Sequence, residues 1–404
     1  MHLVKNKLFV EKVDGIKIVK KYGTPTYCYS LNKLKKNIRN FQDNFKTIKP
    51  LICFSVKSNS NLQILREIKK AGLGADVVSI GEMIQALKAG IPPKKIVFSG
   101  VGKKKEELKF AIQKKILLIN AESESEIFEI ERLAKLQKTR VNIGLRLNPN
   151  IDAKTLKKIS TGKHEDKFGL TEQVFLKILN KFKLSKFMNI KCLSVHIGSQ
   201  ILDCKPYLKM INVLDAIIKK SKFTFDYIDL GGGMGIKYEK KTKSFNYKKY
   251  NLIIKKFLNK HNVKIIFEPG RSIIANTAVL FSQIIYIKDT SKKRFVILDA
   301  AMNDLMRPAL YGSFHSIVPL YKGKGRNKKV HDFVGPVCET TDKFLSVKGF
   351  QNMKEKEFVA ISDVGAYGMS LSSNYNLRPK PLEIMIDNKS FKVILKRQKL
   401  NNII

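Results

Sequence analysis

A chain of 404 residues, 44% hydrophobic and 27% charged, carries enough apolar material for one large domain and a smaller one, which excludes a disordered or fibrous polymer. No apolar run reaches the roughly 18 residues needed to cross a bilayer, and the opening MHLVKNKLFVEKVDG lacks the continuous apolar stretch of a signal peptide. The net charge of +43 raises nucleic acid as a partner, but the excess is mostly lysine, is spread along every segment and accompanies no recognised motif, so neither a specific nucleic acid nor a membrane is expected.

Taken in chain order, the first 30 residues (KLFVEKVDGIKIVKKYGTPTYCYS within them) read as strands. From residue 51 the pattern changes to short apolar runs separated by segments of helical spacing. The runs are LICFSV (51–56), GADVV (74–78), KIVFSG (95–100), ILLIN (116–120), VNIGLRLN (141–148), KCLSVHIG (191–198), FDYIDLGGG (225–233) and KIIFEPG (264–270). Each is rich in Ile, Val, Leu or Phe on nearly consecutive positions, as a strand buried on both faces requires. The clearest helix opens at Ser123 with Glu126 three residues on, a capping-box spacing, and Ile127, Ile130 and Ala134 then recur on one face.

Eight strand–helix pairs over about 230 residues predict a (β/α)8 barrel. A doubly wound open sheet is the competing layout, but no G-x-G-x-x-G follows the first strand. After residue 279 short strands replace the helices (RFVILDA, DFVGPVC, KFLSVKG, EFVAISDVG, LEIMIDNKSFKVIL), which predicts a mainly antiparallel β domain. The expected division is 1–30 with 280–404 as a discontinuous β domain, and 31–279 as the barrel. Cysteines at 28, 53, 192, 204 and 338 form an odd set without a C-x-x-C pair, which predicts free thiols and a cytoplasmic location.

Barrels of this kind carry their chemistry at the C-terminal strand ends. Those ends read Lys57, Asp76, Ser99-Gly100, Asn120, Arg146, His196, Gly231-Gly232-Gly233 and Glu268-Pro269-Gly270-Arg271. Their shared rim is more telling than any one of them. Lys57 in CFSVKSNSN is either a surface lysine or an amine whose desolvation favours the neutral, nucleophilic form that condenses with a carbonyl. DLGGGMG (229–235) is either a flexible turn or a phosphate cradle of exposed backbone amides. In FEPGRSI (267–273), Glu268 and Arg271 form a simple ion pair, or else Glu268 holds a heterocyclic nitrogen protonated while Arg271 grips an anion. His196 on the same rim is a functional candidate. No histidine or cysteine spacing suggests a metal.

Seven ordered stretches, CFSVKSNSN, HIGSQI, LGGGMGI, FEPGRSI, MNDLMRPALY, VGPVCETTD and GAYGMSLSSNYNLRP, together resemble the diaminopimelate decarboxylases, pyridoxal-phosphate-dependent enzymes with an alanine-racemase-like barrel. The resemblance runs from about residue 20 to 385. It implies pyridoxal 5'-phosphate as cofactor, meso-2,6-diaminopimelate as substrate, and L-lysine and CO2 as products. By it, Lys57 would carry the cofactor, His196 would stack on its ring and Glu268 would pair with the pyridine nitrogen. Ser199, Gly231, Gly232, Gly233, Gly270 and Tyr367 would hold the phosphate, with Pro269 and Arg271 beside it. Arg271, Arg307, Tyr311, Glu339 and Tyr367 match substrate contacts, and Cys338 a proton donor contributed across a homodimer interface. Without that family context Cys338 could equally be a buried structural cysteine. Ala301 and Gly312 stand where the family usually has glycine and aspartate. A related decarboxylase acting on ornithine, arginine or a carboxylated polyamine is the alternative; Arg307 would then have no carboxylate to hold.

Overall fold

A computed structural model describes residues 1–153, 155–239, 241–323 and 325–404, and the counts below concern these residues. By contacts the chain forms two compact units: a β unit of Met1–Asn37, Lys237–Thr242 and Ile273–Ile404, and a barrel unit of Ile38–Ile236 and Lys243–Ser272.

Each of the eight apolar runs contains a strand. We number them β1 (Leu51–Ser55), β2 (Gly74–Val77), β3 (Ile96–Phe98), β4 (Leu118–Ala121), β5 (Val141–Arg146), β6 (Met188–Ser194), β7 (Tyr227–Asp229) and β8 (Lys264–Phe267). All pair in parallel with their sequence neighbours, and β8 pairs with β1, so the sheet closes into a barrel. The open sheet is thereby excluded. Both faces of these strands are buried, which is why the runs lack alternation. The helix at Glu124–Leu136 starts as its spacing predicts, with Ser123 Oγ accepting from the Glu126 N–H. The Glu126 carboxylate, however, reaches the N–H of Glu122 rather than of Ser123, because it is also drawn to the buried Lys103.

In the β unit the 12-residue strand Ala278–Asp289 is central to a nine-stranded mixed sheet, and most pairings are antiparallel. It pairs antiparallel with Thr26–Ser30, Lys293–Leu298 and Phe358–Ser362. Thr26–Ser30 in turn runs parallel to Leu382–Asp387. The N-terminal segment is not all strand, as its alternation predicts. A small sheet of His2–Val4, Lys7–Val10 and Val13–Asp14 is followed by a helix at Gly15–Tyr22. The Asp14 carboxylate caps that helix by accepting from Ile16 N–H at 2.9 Å. Its apolar residues face the core at Gly15, Ile18, Val19 and Tyr22, a spacing of three, four and seven that the I-K-I alternation conceals. No described helix is long and apolar enough to cross a membrane.

Candidate active site

The rim at the C-terminal ends of the barrel strands is built around the first and last strands. β1 ends at Ser55 and passes into a single 3-10 turn, Val56–Ser58, that carries Lys57. The chain after β8 is fastened to that turn. Ser55 N–H donates to Pro269 O at 3.1 Å, and a Cβ at Gly270 would come within 2.9 Å of Ser58 Cβ. Gly270 is therefore glycine so that the Glu268 loop can lie directly against the Lys57 turn.

Lys57 Nζ lies 3.1 Å from Asp76 Oδ2, and the same oxygen accepts from Ser55 Oγ at 2.6 Å. Asp76 is fully buried while the Lys57 side chain keeps 37% exposure. Desolvation is thus not the whole account of this amine, since a carboxylate at that distance favours the charged form.

Inside the rim, side chains from five strand ends interlock. Asn120 Nδ2 donates to Asp229 Oδ2 at 2.9 Å and, at 3.3 Å each, to Ser99 Oγ and Ser194 Oγ. Ser99 Oγ donates to Glu268 Oε1 at 3.2 Å. Burial, reinforced by Asp229 and Asp76 and opposed by Lys57, pushes the Glu268 carboxyl well above the usual range. Burial also raises Asp229, against hydrogen bonds from Glu268, Gly231 N–H and Asn120. Glu268 and Asp229 act on one another: Asp229 raises Glu268, and Glu268 lowers Asp229 against its burial. Three buried acids facing one lysine form a pocket floor whose crowding favours an incoming cationic N–H.

His196 follows β6. Burial, with Lys57 and Arg146 nearby, lowers its pKa well below the ordinary value, so the ring is neutral. Its Nδ1 accepts from Gly232 N–H at 3.2 Å, which leaves the ring proton on Nε2. A Cβ at Gly231, where φ is +62°, would meet that Nδ1 at 2.5 Å, and one at Gly232 would meet Glu268 O at 2.1 Å. Gly231 and Gly232 are thus demanded by close packing of His196 and the Glu268 loop, and Gly233 by the carbonyl of Gly198, which a Cβ would meet at 2.4 Å; this is no flexible turn. Arg271 Nη2 donates to Ser199 Oγ at 3.1 Å, which links the β8 loop to the one after β6. Arg146 has a structural partner: it pairs with Glu122 at 2.8 Å, both side chains buried.

The remaining predicted residues lie in the β unit. Arg307, buried, opens a short helix, Arg307–Tyr311, that ends at Gly312. Gly312 has φ +61°, a left-handed position that aspartate tolerates and glycine prefers, so its departure from the family pattern keeps the turn. Cys338 and Glu339 are exposed on the loop after Val330–Val334, which excludes a buried structural cysteine. Glu339 accepts from Tyr375 Oη and from Thr341 Oγ1. Tyr367 sits at φ +56°, a conformation rare for a bulky residue.

Sequence reasoning gave Asp229 and Ser194 no role. The signal was present in Asp229, a charged residue closing an otherwise apolar buried run. Tyr238 and His315, whose rings meet edge-on at 5.5 Å beside the Arg307 guanidinium, left no such trace. No described group of three His, Cys, Asp or Glu side chains is arranged to hold a metal.

Residues 31–275 match the family model described as the pyridoxal binding domain of pyridoxal-dependent decarboxylases. The chain is 42% identical over 385 residues to diaminopimelate decarboxylase of Helicobacter pylori, covering 95% of each. It is 38% identical over 405 residues to that of Aquifex aeolicus, covering 98% of this chain and 95% of the relative. Among solved structures it superposes on the H. pylori diaminopimelate decarboxylase complexed with L-lysine with a TM-score of 0.91 at 40% identity, over 96% of this chain and 98% of the other. On the M. jannaschii enzyme in co-complex with L-lysine the TM-score is 0.94 at 32% identity, over 100% and 96%.

Proposed function

Given that the chain belongs to the diaminopimelate decarboxylases, within the pyridoxal-dependent decarboxylases, we infer that it converts meso-2,6-diaminopimelate to L-lysine and CO2 with pyridoxal phosphate as cofactor. The observation that carries this reading is the fastening of the Lys57 turn to the Glu268 loop over a floor of buried carboxylates. That floor suits the cofactor: a protonated heterocyclic nitrogen is the cation that Glu268, Asp229 and Asp76 together would balance.

When bound, pyridoxal phosphate supplies a carbonyl carbon that amines attack and a protonated ring that takes up the electron pair left by CO2. Lys57 is proposed to hold it through its amine. Glu268 would pair with the pyridine nitrogen and keep it protonated, the ring's positive charge offsetting the burial that raises this carboxyl. The neutral His196 ring stacks on the cofactor and brings no charge that would compete with Glu268 for that proton. Ser199, Gly231, Gly232, Gly233, Gly270 and Tyr367 hold the phosphate, with Pro269 and Arg271 beside it. Arg271, Arg307, Tyr311, Glu339 and Tyr367 hold the substrate: guanidinium and hydroxyl groups for the distal carboxylate, a carboxylate for the distal ammonium. Cys338 protonates the carbon that has lost CO2. The working form is a cytoplasmic homodimer in which Cys338 serves the partner's site.

The test is CO2 release from meso-diaminopimelate and from ornithine, with cofactor added. The reading requires turnover of the first and an absorption band from bound cofactor that Lys57→Ala abolishes. A protein that stays colourless after incubation with pyridoxal phosphate, or that prefers ornithine, overturns it.

A further inference from the structure

Of the three glycines after β7, two spend their backbone N–H groups inside the barrel unit. Gly231 N–H donates to Asp229 Oδ1 at 3.0 Å, and Gly232 N–H to His196 Nδ1 at 3.2 Å. Gly233 N–H donates to no group among the described residues, and Gly233 alone of the three is partly exposed. Of these three amides, an anion in the cradle can therefore draw on one.

That amide is aimed from behind. In a trans peptide the C=O and the following N–H point in opposite directions, so whatever holds the Gly232 carbonyl fixes the direction of the Gly233 N–H. Tyr207 holds it: its Oη donates to Gly232 O at 2.9 Å, from a ring with 0% exposure. Burial pushes this phenol well above its ordinary value, so the hydroxyl keeps the proton it donates. The same hydroxyl would lie 2.9 Å from a Cβ at Gly233, where φ is +88°, so the tyrosine and the glycine are matched. On the other side, Gly233 O accepts from Ile201 N–H at 2.9 Å.

Tyr207 stands in the first turn of the helix Lys205–Ser221, and its ring is backed by Tyr250 at 4.5 Å and Phe245 at 5.6 Å. Tyr250, on the helix Tyr247–Leu258, is equally buried, yet its own hydroxyl has no hydrogen-bond partner. Of two tyrosines in one cluster, one hydroxyl reaches the cradle and the other does not.

We propose that Tyr207 is a positioning residue for the cofactor phosphate: through the Gly232 carbonyl it aims the Gly233 N–H at the anion. The assignment rests on the pyridoxal phosphate reading above, and within it Gly231 and Gly232 are walls of the cradle and Gly233 its donor. It separates two aldehydes that differ at one group. Pyridoxal phosphate carries the anion, whereas pyridoxal has a hydroxyl in its place on the same ring.

The experiment titrates the full chain, stripped of cofactor, with pyridoxal phosphate and with pyridoxal, and reads Kd from the absorption band of the bound aldehyde. Tyr207→Phe deletes one oxygen and is expected to weaken pyridoxal phosphate binding by about ten-fold, with pyridoxal binding nearly unmoved. Tyr250→Phe is expected to change neither Kd. Should Tyr207→Phe not fold, Tyr250→Leu, which takes away the ring behind Tyr207, is read in the same way with a several-fold effect. Pyridoxal phosphate binding that is unchanged in Tyr207→Phe, or that falls in step with pyridoxal, overturns the assignment, as does an equal loss in Tyr250→Phe. A wild-type chain that binds pyridoxal phosphate no more tightly than pyridoxal, or binds neither, overturns the cofactor reading, and this assignment with it.

Discussion

Each unit buries carboxylates, and two groups of them have different partners. In the β unit three of them hold the main chain: Asp304 accepts from Ala301 N–H at 2.8 Å, Asp342 from Met302 N–H at 2.7 Å and Val337 N–H at 2.8 Å, and Asp299 from Gln283 N–H at 2.9 Å. In the barrel, Asp76 and Glu268 face side chains and each other across the rim, and Asp76 Oδ1 has no hydrogen-bond partner. A carboxylate that satisfies backbone donors is holding a loop in shape. One that crowds other carboxylates beside a lysine is holding charge for something else. Burial alone does not separate the two; the partner does.

Substitutions can break that contrast. The largest effect is expected at Lys57. Lys57→Ala should lower CO2 release by ~10^4-fold or more while thermal unfolding shifts little, because its ion pair is partly solvated. Mixing it with inactive Cys338→Ala should restore about a quarter of the activity if subunits reassort at random and each site draws on two chains. No recovery despite exchange would remove the shared site.

Lys103 is the counter-case in the same barrel. Its side chain is 1% exposed, and Nζ donates to Gly100 O, Asn120 O and Glu126 Oε1 at 2.6–2.7 Å. Lys103→Met should lower stability by about 3–5 kcal/mol, read by denaturant melts. If it silenced catalysis without a stability change, the rule drawn from partners would fail. Glu268→Gln should reduce kcat by about 10^2–10^3-fold and leave the melting temperature near wild type or above it, since one of three crowded acids is gone. A large loss of stability instead would place Glu268 with the loop-holding acids.

The smallest effect concerns pH. Burial pushes Asp304 up to about 7. An acid whose folded pKa is raised binds its proton more readily when folded, so the stability it contributes is full below the unfolded value near 4 and is lost as pH rises through about 7. Asp304→Asn should therefore flatten the decline in melting temperature between pH 5 and pH 8. A variant that parallels wild type throughout would show that Asp304 does not drive the slope.

How much was legible in the sequence follows from the same division. Barrel strands announce themselves because each is a doubly buried run, and the rim order Lys57 to Arg271 could be read off the strand ends. Asp229 was visible only as an exception within such a run. Its role depends on Asn120, Ser194 and Glu268, three residues that sequence separation hides. The helix Gly15–Tyr22 imitates strand alternation, since Lys17 falls between Ile16 and Ile18 before Val19 breaks the pattern. In the β unit the functional candidates sit on loops with no periodicity, so Arg307, Glu339 and Tyr367 came from motif resemblance alone. His315 and Tyr238 belong to no pattern, because what joins them is one guanidinium and not any spacing.

The strand Thr26–Ser30 precedes the whole barrel in the chain, yet its neighbours in the sheet are Ala278–Asp289 and Leu382–Asp387. Its open edges must wait for more than 350 further residues before both are covered. The barrel can close during that wait, since its last strand ends at Phe267. Synthesis order therefore gives the barrel before the β sheet, and leaves Thr26–Ser30 uncovered through that interval on a chain whose net charge of +43 opposes non-specific association.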